Sequence, residues 1–281
     1  MQINLVPSGT INTAAKLLRE AEALVVTAGA GMGVDSGLPD FRGSEGFWNA
    51  YPPFRQMGLS FVDLANPEWF ERDPRLAWGF YGHRLNLYRR TRPHAGFTWL
   101  RIWMERCPHR GFVFTSNVDG QFQLAGFPEE RMLECHGSIH RLQQCDETRG
   151  KIWDATQVVV TVDETTMRAV GDLPTDPASG FLARPNILMF NDALWNSAVA
   201  EAQQQRYRGW LAGIRGAGLV VVELGAGSAI PTVRQQSEHL IFSHGAKLIR
   251  INPREPEVPP GQLGLACGAL AGLQMIAEAS A

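Results

Sequence analysis

The chain has 281 residues, of which 44% are hydrophobic, and a formal net charge of −2. This length favours one large domain or two lobes, and the small net charge argues against nucleic acids and anionic membranes as partners. No apolar run approaches the ~20 residues of a membrane span, and residues 1–10 lack the basic-then-apolar pattern of a signal peptide. The four cysteines are widely spaced and predict no disulfide framework. We therefore expect a cytoplasmic protein with no nucleic-acid or membrane partner.

The chain begins with a predicted helix, a strand and a glycine-rich turn. Apolar residues recur at helical spacing over 11–21, and the apolar run 24–26 is typical of a buried strand. Four glycines follow this strand: Gly29, Gly31, Gly33 and Gly37. Glycines after a strand let the backbone approach a phosphate, whose charge the amides of the turn can hold. The segment therefore predicts a nucleotide-binding crossover at the start of an α/β domain.

The glycine-rich turn does not match the usual dinucleotide fingerprint. GxGxxG needs a glycine at position 34, where the chain has Val34, and no convincing acidic residue follows about 20 positions on to hold a ribose hydroxyl. The turn ends instead in Pro39-Asp40-Phe41-Arg42. Gly29-Ala30-Gly31 followed by this tetrapeptide resembles the first signature of the sirtuins, which are NAD-dependent protein-lysine deacylases. The resemblance implies that residues in both parts of this signature bind NAD, namely Gly29, Ala30, Gly31, Asp40, Phe41 and Arg42. It also implies that Phe41 shields the reactive carbon and that Arg42 steadies the loop.

The segment from 42 to 93 is rich in aromatic residues and broken by prolines, which predicts several short helices and loops in a small lobe above the nucleotide. Tyr81 and Arg84 stand three apart, so on a helix they share a face. A phenol beside a guanidinium makes a good carboxylate receptor. The pair resembles the Tyr-x-x-Arg of sirtuins that remove acidic acyl groups such as succinyl or malonyl. The alternative is an arginine on a solvated face and a tyrosine in the core.

A second helix is predicted over 95–106, and the apolar run 111–115 predicts a second buried strand. Polar residues come directly after this strand, which is how open α/β sheets build sites at the carboxyl ends of their strands. The segment 115–126 resembles the sirtuin motif TQN(I/V)DxLHxxAG. The resemblance implies that Asn117 positions the nicotinamide ribose and that Asp119, with Val118, binds the nicotinamide amide.

The same segment departs from the sirtuin motif at three positions. Ser116 replaces a glutamine that contacts the nicotinamide ribose in the family. Gln121 replaces a leucine, and Phe122 replaces a histidine. Because this position contacts the cofactor in the family, we include Ser116 in the predicted cofactor site.

His136 is the candidate general base. An imidazole suits this role because its unperturbed pKa lies near neutrality. His136-Gly137 resembles the His-Gly of the sirtuins, whose histidine is the general base. His140 is predicted to be structural or to line the channel wall.

Residues 145–184 correspond to the zinc module of the sirtuins, which usually carries CxxC and then CxxC. Four thiolates at paired spacing are a strong zinc signal. Here the register is kept, but the four positions hold Cys145, Thr148, Asp176 and Ser179. We expect this set to bind zinc poorly, and therefore a zinc-free small lobe without a metal site. Packing around Ile152, Trp153 and the run 158–162 is expected to stabilise the lobe, and that run could pair with another strand.

The run 184–190 predicts another buried strand of the large domain. It resembles the sirtuin RPxVVxFGE, whose last residues pair with the substrate backbone as an added strand. The resemblance implies that Phe190 and Asn191 contact the substrate. Asn191 and Asp192 replace Gly and Glu of the motif, so the side chain at 191 is expected to crowd the peptide groove.

The last third of the chain predicts a long helix over 195–217 and two more strands, 219–224 and 247–251. The first of these strands opens into Gly225-Ala226-Gly227, at the place where sirtuins have a Gly-Thr-Ser that contacts ribose and phosphates. The second ends in Asn252, which resembles the asparagine that holds the adenosine ribose. Cys267 precedes a final helix, in a position that often lines the adenine pocket through its main chain.

The strand ends predict the fold class, an α/β protein with a Rossmann-like, doubly wound parallel sheet. Five apolar strands each end in Gly, Asn, Asp or Ser, and such ends converge on one crevice in a doubly wound sheet. A second, smaller lobe is formed by two insertions. We assign residues 1–41, 93–143 and 184–281 to the NAD-binding domain, and 42–92 and 144–183 to the small lobe.

The resemblance implies an NAD-dependent deacylase that acts on an acylated lysine of a protein or peptide and forms nicotinamide and O-acyl-ADP-ribose. His136 would take a proton from a ribose hydroxyl during acyl transfer to ADP-ribose. Two alternatives remain open: ADP-ribosyl transfer or NAD hydrolysis, for which Ser116 and Asn191 leave room, and a non-catalytic sensor of NAD or ADP-ribose.

Overall fold

The computed structural model describes residues 6–39, 43–146 and 150–280, except for the side chains of 43–45. The strands are β1 (Ala23–Ala28), β2 (Gly111–Thr115), β3 (Met132–Glu134), β4 (Gly137–Gln144), β5 (Trp153–Asp154), β6 (Thr161–Asp163), β7 (Arg168–Val170), β8 (Ala183–Ile187), β9 (Leu219–Leu224), β10 (Lys247–Ile251) and β11 (Leu263–Leu265). The helices are α1 (Ser8–Glu20), α2 (Gly43–Ala50), α3 (Pro52–Gln56), α4 (Phe61–Leu64), α5 (Glu68–Arg72), α6 (Pro74–Arg90), α7 (Ala95–Arg106), α8 (Gln121–Leu124), α9 (Ala198–Gly213), α10 (Thr232–His244) and α11 (Ala269–Glu278).

A six-stranded sheet in the order β11-β10-β9-β1-β2-β3 forms the centre of the large domain. Its neighbouring strands are all parallel. From β1 the chain adds β2 and β3 on one side, and from β9 it adds β10 and β11 on the other. The winding direction therefore changes between β1 and β9, where doubly wound sheets bind their ligands. The predicted fold class is confirmed.

Helices cover both faces of this sheet. Alternate residues of β1 point to opposite faces, as the pleat requires. Leu24 and Val26 pack with apolar residues of α1, α7 and α11. Ala23 and Val25 pack on the other face with residues of α9 and α10. Both faces of β1 are buried, which explains why its sequence is a continuous apolar run and not an alternating one.

Two small antiparallel sheets lie outside the large one, a three-stranded sheet β5-β4-β8 and the hairpin β6–β7. The prediction that the run 184–190 belongs to the large sheet is therefore wrong. β8 pairs with β4, and their backbones approach so closely at Gly137 that a Cβ there would lie 2.1 Å from the Asn186 carbonyl oxygen. The Asn186 side chain donates to Gln143 of β4, which fixes the same pairing. The run 158–162 enters β6 only in part, and β6 pairs with β7.

Helix α6 is packed directly against the β6–β7 hairpin. A Cβ at Gly79 would lie 1.9 Å from the Met167 carbonyl oxygen, and a Cβ at Gly82 would lie 2.4 Å from Val160. Arg75 donates to the carbonyls of Ala169 and Gly171, at 3.0 Å each. The two helix glycines therefore allow the hairpin to fix the position of α6, the helix that carries Tyr81 and Arg84.

None of the helices that the structure describes is long and apolar enough to cross a membrane.

Candidate active site

The loops after β1 and β9 are in direct backbone contact at the change of winding direction. The Gly29 amide donates to the Leu224 carbonyl at 2.9 Å, and the Gly31 amide donates to the Gly225 carbonyl at 3.1 Å. A Cβ at Gly29 would lie 2.9 Å from the Ala226 Cα, and one at Gly225 would lie 2.4 Å from Gly31. Gly225 also has a φ of 58°, which favours glycine. Both predicted phosphate loops therefore form one cradle that side chains would fill.

The loop after β10 joins this cradle through Asn252, which is fully buried. Its side-chain amide donates to the Ala226 carbonyl at 2.7 Å. Its Oδ1 accepts from the amides of Arg254 and Glu255, at 3.0 and 3.1 Å. The Glu255 carboxylate in turn accepts from the Ser228 amide, next to Gly227, at 2.8 Å. Asn252 therefore holds the β9 and β10 loops together.

Cys267 and Asp35 connect the first loop to the last helix. The Asp35 carboxylate accepts from the Leu270 amide in the first turn of α11 at 2.7 Å. Cys267 precedes this helix and is partly buried. Burial, with the nearby Asp35 charge as a second cause, raises the pKa of the Cys267 thiol to about 11. The thiol is therefore protonated near neutrality, which agrees with a lining role and not a reactive one.

The end of β2 is fastened to the end of β1 by side chains of the predicted motif. The Asn117 amide group donates to the Gly29 carbonyl at 3.1 Å. The Thr115 hydroxyl donates to the Ala28 carbonyl at 3.0 Å and accepts from the Asn117 backbone amide at 3.0 Å. The Ser116 backbone amide also donates to Ala28, at 3.1 Å. Asn117 therefore lies against the glycine cradle.

Asp119 is buried next to Val118, with exposed fractions of 7% and 8%. Its Oδ1 accepts from the Gln121 amide at 2.9 Å. Burial raises the pKa of Asp119 to about 6, and the Glu134 charge adds to the rise. The carboxyl group is still mostly ionised at neutral pH, so it can accept a hydrogen bond from an amide ligand.

His136 follows β3 and lies beside the same segment. The Cys135 amide donates to the Thr115 carbonyl at 2.9 Å, and His136 forms a hydrogen bond with the Ser116 main chain. Burial lowers the pKa of His136, and the hydrogen bond with Ser116 opposes part of this shift. The imidazole is therefore neutral at physiological pH, which is the form that accepts a proton.

Tyr81 and Arg84 lie together in the core of the small lobe and are 1% and 6% exposed. The Arg84 Nε donates to the Tyr88 hydroxyl at 2.9 Å. The guanidinium carbon lies 5.1 to 5.8 Å from the ring centres of Phe61, Phe80, Tyr81 and Tyr88. The alternative is therefore wrong for Arg84, which is not on a solvated face, and right for Tyr81, which lies in the core. A guanidinium surrounded by aromatic rings stands beside Tyr81.

The chain after β8 reaches the same aromatic group. The Phe190 ring lies 6.2 Å from the Phe61 ring, and its backbone amide donates to the Ala65 carbonyl at 2.8 Å. Asn191 is exposed and has a φ of 55°, a conformation that asparagine tolerates better than most residues and glycine best. Asp192 forms a buried ion pair with Arg184, which fixes the turn.

The predicted cofactor residues Asp40, Phe41 and Arg42 lie outside the described residues, as does Thr148. Within the described ranges, no cluster of three or more His, Cys, Asp or Glu side chains is arranged to hold a metal ion. Asp176 and Ser179 are hydrogen-bonded to the Gln144 amide group, and Ser179 also donates to Asp176.

Sequence reasoning missed His94, which holds the glycine-rich turn. The Gly96 amide donates to His94 Nδ1 at 3.0 Å, and His94 Nε2 lies 3.0 Å from the Met32 carbonyl oxygen. Nδ1 must accept and Nε2 must donate, so the geometry requires the neutral ring. Burial lowers the pKa of His94. Its place directly before a helix, where capping residues are common, was the available signal.

Replacing His94 by Asn should make the stability of the protein less dependent on pH. Because the pKa of His94 is lowered in the fold, its contribution is complete above the unfolded pKa of about 6.5 and is lost as the pH falls below it. Asparagine keeps a capping oxygen for Gly96 but does not titrate. Urea unfolding at pH 7.5 and 5.5 measures the effect, with His109→Asn, an exposed histidine, as the control. Equal loss of stability in wild type and His94→Asn would contradict the assignment.

Comparisons with known proteins point to one family. Residues 29–212 match the model of the Sir2 family. An NAD-dependent protein deacylase of Thermus thermophilus is 30% identical over 270 residues, which cover 95% of this chain and 93% of that relative. One of Thermococcus kodakarensis is 30% identical over 249 residues, covering 88% and 86%. The crystal structure of a Sir2 homologue in complex with NAD has the same fold, with a TM-score of 0.71 at 23% identity over 95% of this chain and 93% of that one. This chain belongs to the Sir2 family and is an enzyme of the sirtuin type.

Proposed function

We propose that this protein is an NAD-dependent protein-lysine deacylase that transfers the acyl group of an acylated lysine to ADP-ribose. The observation that carries the proposal is the set of hydrogen bonds that brings the ends of β1, β2 and β9 together beside His136. The relatives in Thermus and Thermococcus that span most of this chain carry the name NAD-dependent protein deacylase. The sequence-based expectations of a cytoplasmic location and of no nucleic-acid partner stay predictions.

The residues of the cradle fit NAD. Gly29 and Gly225 leave space that a Cβ would fill, so the backbone can approach a pyrophosphate. We assign the adenosine half to the Gly225–Gly227 loop, Asn252 and Cys267. We assign the nicotinamide half to Asn117, Val118 and Asp119, with Asp40, Phe41 and Arg42 assigned from the resemblance alone. We also propose the division into an NAD-binding domain (1–41, 93–143, 184–281) and a small lobe (42–92, 144–183).

The chain's own residues supply orientation and proton transfer. NAD supplies the ribose carbon to which the acyl-lysine oxygen adds and the hydroxyl that receives the acyl group. Asp119 Oδ1 already accepts from Gln121, so we assign Oδ2 to the nicotinamide amide. Asn117, held by Gly29, orients the ribose. His136 is neutral because burial lowers its pKa, and it takes the proton from the ribose hydroxyl. Val118 and Asp119 are buried, which limits water at the proposed nicotinamide end and suits a bond cleavage that depends on orientation.

His136→Ala should abolish deacylation and leave NAD binding intact. Loss of a general base costs about 10²- to 10⁴-fold in turnover. Mass spectrometry of an acyl-lysine peptide with NAD measures acyl loss, nicotinamide and O-acyl-ADP-ribose together, and calorimetry measures NAD affinity. His109→Ala is the control, because His109 is exposed on the surface.

ADP-ribosyl transfer and NAD hydrolysis would give different products in the same experiment. Ser116, whose main chain contacts His136, replaces the family glutamine, and Asn191 is exposed after β8. These two positions favour ADP-ribosyl transfer or NAD hydrolysis as the second candidate. Wild-type enzyme that releases nicotinamide without acyl loss, or that attaches ADP-ribose to protein, would rule out the deacylase.

We propose that Tyr81 and Arg84 give a preference for acidic acyl groups. A desolvated guanidinium beside a phenol attracts a carboxylate strongly. Arg84→Met should lower kcat/KM for a succinyl-lysine peptide by about 30-fold or more and that for an acetyl-lysine peptide by less than about threefold. Arg90→Met, at the exposed end of the same helix, is the control. An equal loss of kcat/KM for both peptides would contradict the acidic-acyl proposal. Turnover of the acetyl peptide reports whether the variant is folded.

We propose that the small lobe needs no zinc. Asp176 and Ser179, at two of the four zinc-ligand positions of the family, are bridged by the Gln144 amide group. Elemental analysis of the purified protein should find much less than one zinc per chain, and EDTA should leave the melting temperature unchanged. Gln144→Met should lower that temperature by removing the bridge. One tightly bound zinc per chain, or unfolding in EDTA, would refute the proposal.

A further inference from the structure

His140, which no motif singled out, contacts the segment that carries Asp119. It lies on β4 and is partly buried. Its Nε2 is 3.0 Å from the Asp119 carbonyl oxygen. A carbonyl oxygen can only accept, so Nε2 carries the proton in this contact.

The contact is one of two hydrogen bonds between consecutive residues of β4 and consecutive carbonyls of the Asp119 segment. The Ile139 amide donates to the Val118 carbonyl at 3.0 Å, next to the bond from His140 to Asp119. The two carbonyls belong to the residues that we assign to the nicotinamide amide. β4 therefore fixes the orientation of both peptide groups.

Gly120 makes room for the His140 ring. A Cβ at Gly120 would lie 2.6 Å from both Cδ2 and Nε2 of His140, and Gly120 has a φ of 73°. The Cδ2–Nε2 edge of the ring therefore lies against a backbone that bears no side chain and bends in the left-handed region. This close fit leaves the loop little freedom while the His140 ring is present.

Hydrogen bonds also fix the backbone of His140. Its carbonyl accepts from the Ala155 amide at 2.9 Å, and Arg89 of α6 donates to the carbonyls of Ala155 and Val158 at 2.6 Å each. Hydrogen bonds therefore fix both the backbone of His140 and the contact of its ring with the Asp119 carbonyl. The ring can thus transmit the position of β4 to the Asp119 loop.

We propose that His140 is a positioning residue that sets the Asp119 loop for the nicotinamide half of NAD, acting through the Asp119 carbonyl. The inference rests on the proposed function, because it assumes that Asp119 binds the nicotinamide amide. His140 itself touches the loop and not the cofactor.

Two variants separate the hydrogen bond from the volume of the ring. His140→Gln keeps an N–H donor at about the position of Nε2, and His140→Leu has a similar volume without a donor. The KM for NAD should rise about tenfold in His140→Leu, the effect of leaving a buried carbonyl without its partner, and by less than about twofold in His140→Gln. The KM for the acyl-lysine peptide should stay within about twofold in both.

Calorimetry with NAD and with ADP-ribose completes the test. ADP-ribose lacks nicotinamide, so His140→Leu should weaken NAD about tenfold and leave ADP-ribose unchanged. Equal weakening of both ligands, or no weakening of NAD, would overturn the inference, as would a His140→Gln variant as impaired as His140→Leu. A wild type that binds NAD but deacylates no peptide would instead count against the proposed function, and the calorimetric comparison would still decide the role of His140.

Discussion

The close approach of the β1 and β9 loops is the constraint on which the rest of the site depends. The amides of Gly29 and Gly31 bond to the end of β9, and this is possible because Gly29 and Gly225 carry no Cβ. A side chain at either position would push the loops apart and remove the place where a pyrophosphate can approach the backbone. The other loops of the site are built onto this contact and inherit its geometry.

Two side chains that the motifs predict as cofactor ligands form hydrogen bonds within the protein. Asn252 bonds to Ala226, and Asn117 bonds to Gly29. Thr115, which is not among the predicted ligands, does the same toward Ala28. Such bonds fix the loops before a ligand arrives, which lowers the reorganisation that binding and catalysis require. Polar residues at the strand ends therefore pre-organise the site, in addition to the cofactor contacts that we propose for them.

Local patterns located four strands of the large sheet, β1, β2, β9 and β10, but missed the short strands β3 and β11 and did not pair every strand. The runs 111–115, 219–224 and 247–251 are strands with the predicted bounds, because mostly apolar runs followed by Gly, Ser or Asn leave little choice of boundary. The run at 184–190 looks the same, yet β8 pairs with β4. What decides this is a close backbone approach at Gly137 and the bond from Asn186 to Gln143, and neither has a local signature. The contact of His140 with the Asp119 loop escaped prediction for the same reason, since the partner is a main-chain carbonyl 21 residues away.

The small lobe connects several elements of the proposed site. Its hairpin packs on Gly79 and Gly82, so the position of α6 depends on how well the hairpin is formed. Helix α6 carries Arg84 inside its ring of aromatic side chains and carries Arg89, which holds the turn behind His140. The proposed substrate side and the proposed nicotinamide side of the site are thus joined by one helix. At one of the zinc-ligand positions of the family this chain has Asp176, which is bonded to Gln144. Helix α6 must still be kept in place, and the close contacts at Gly79 and Gly82 do this by packing alone.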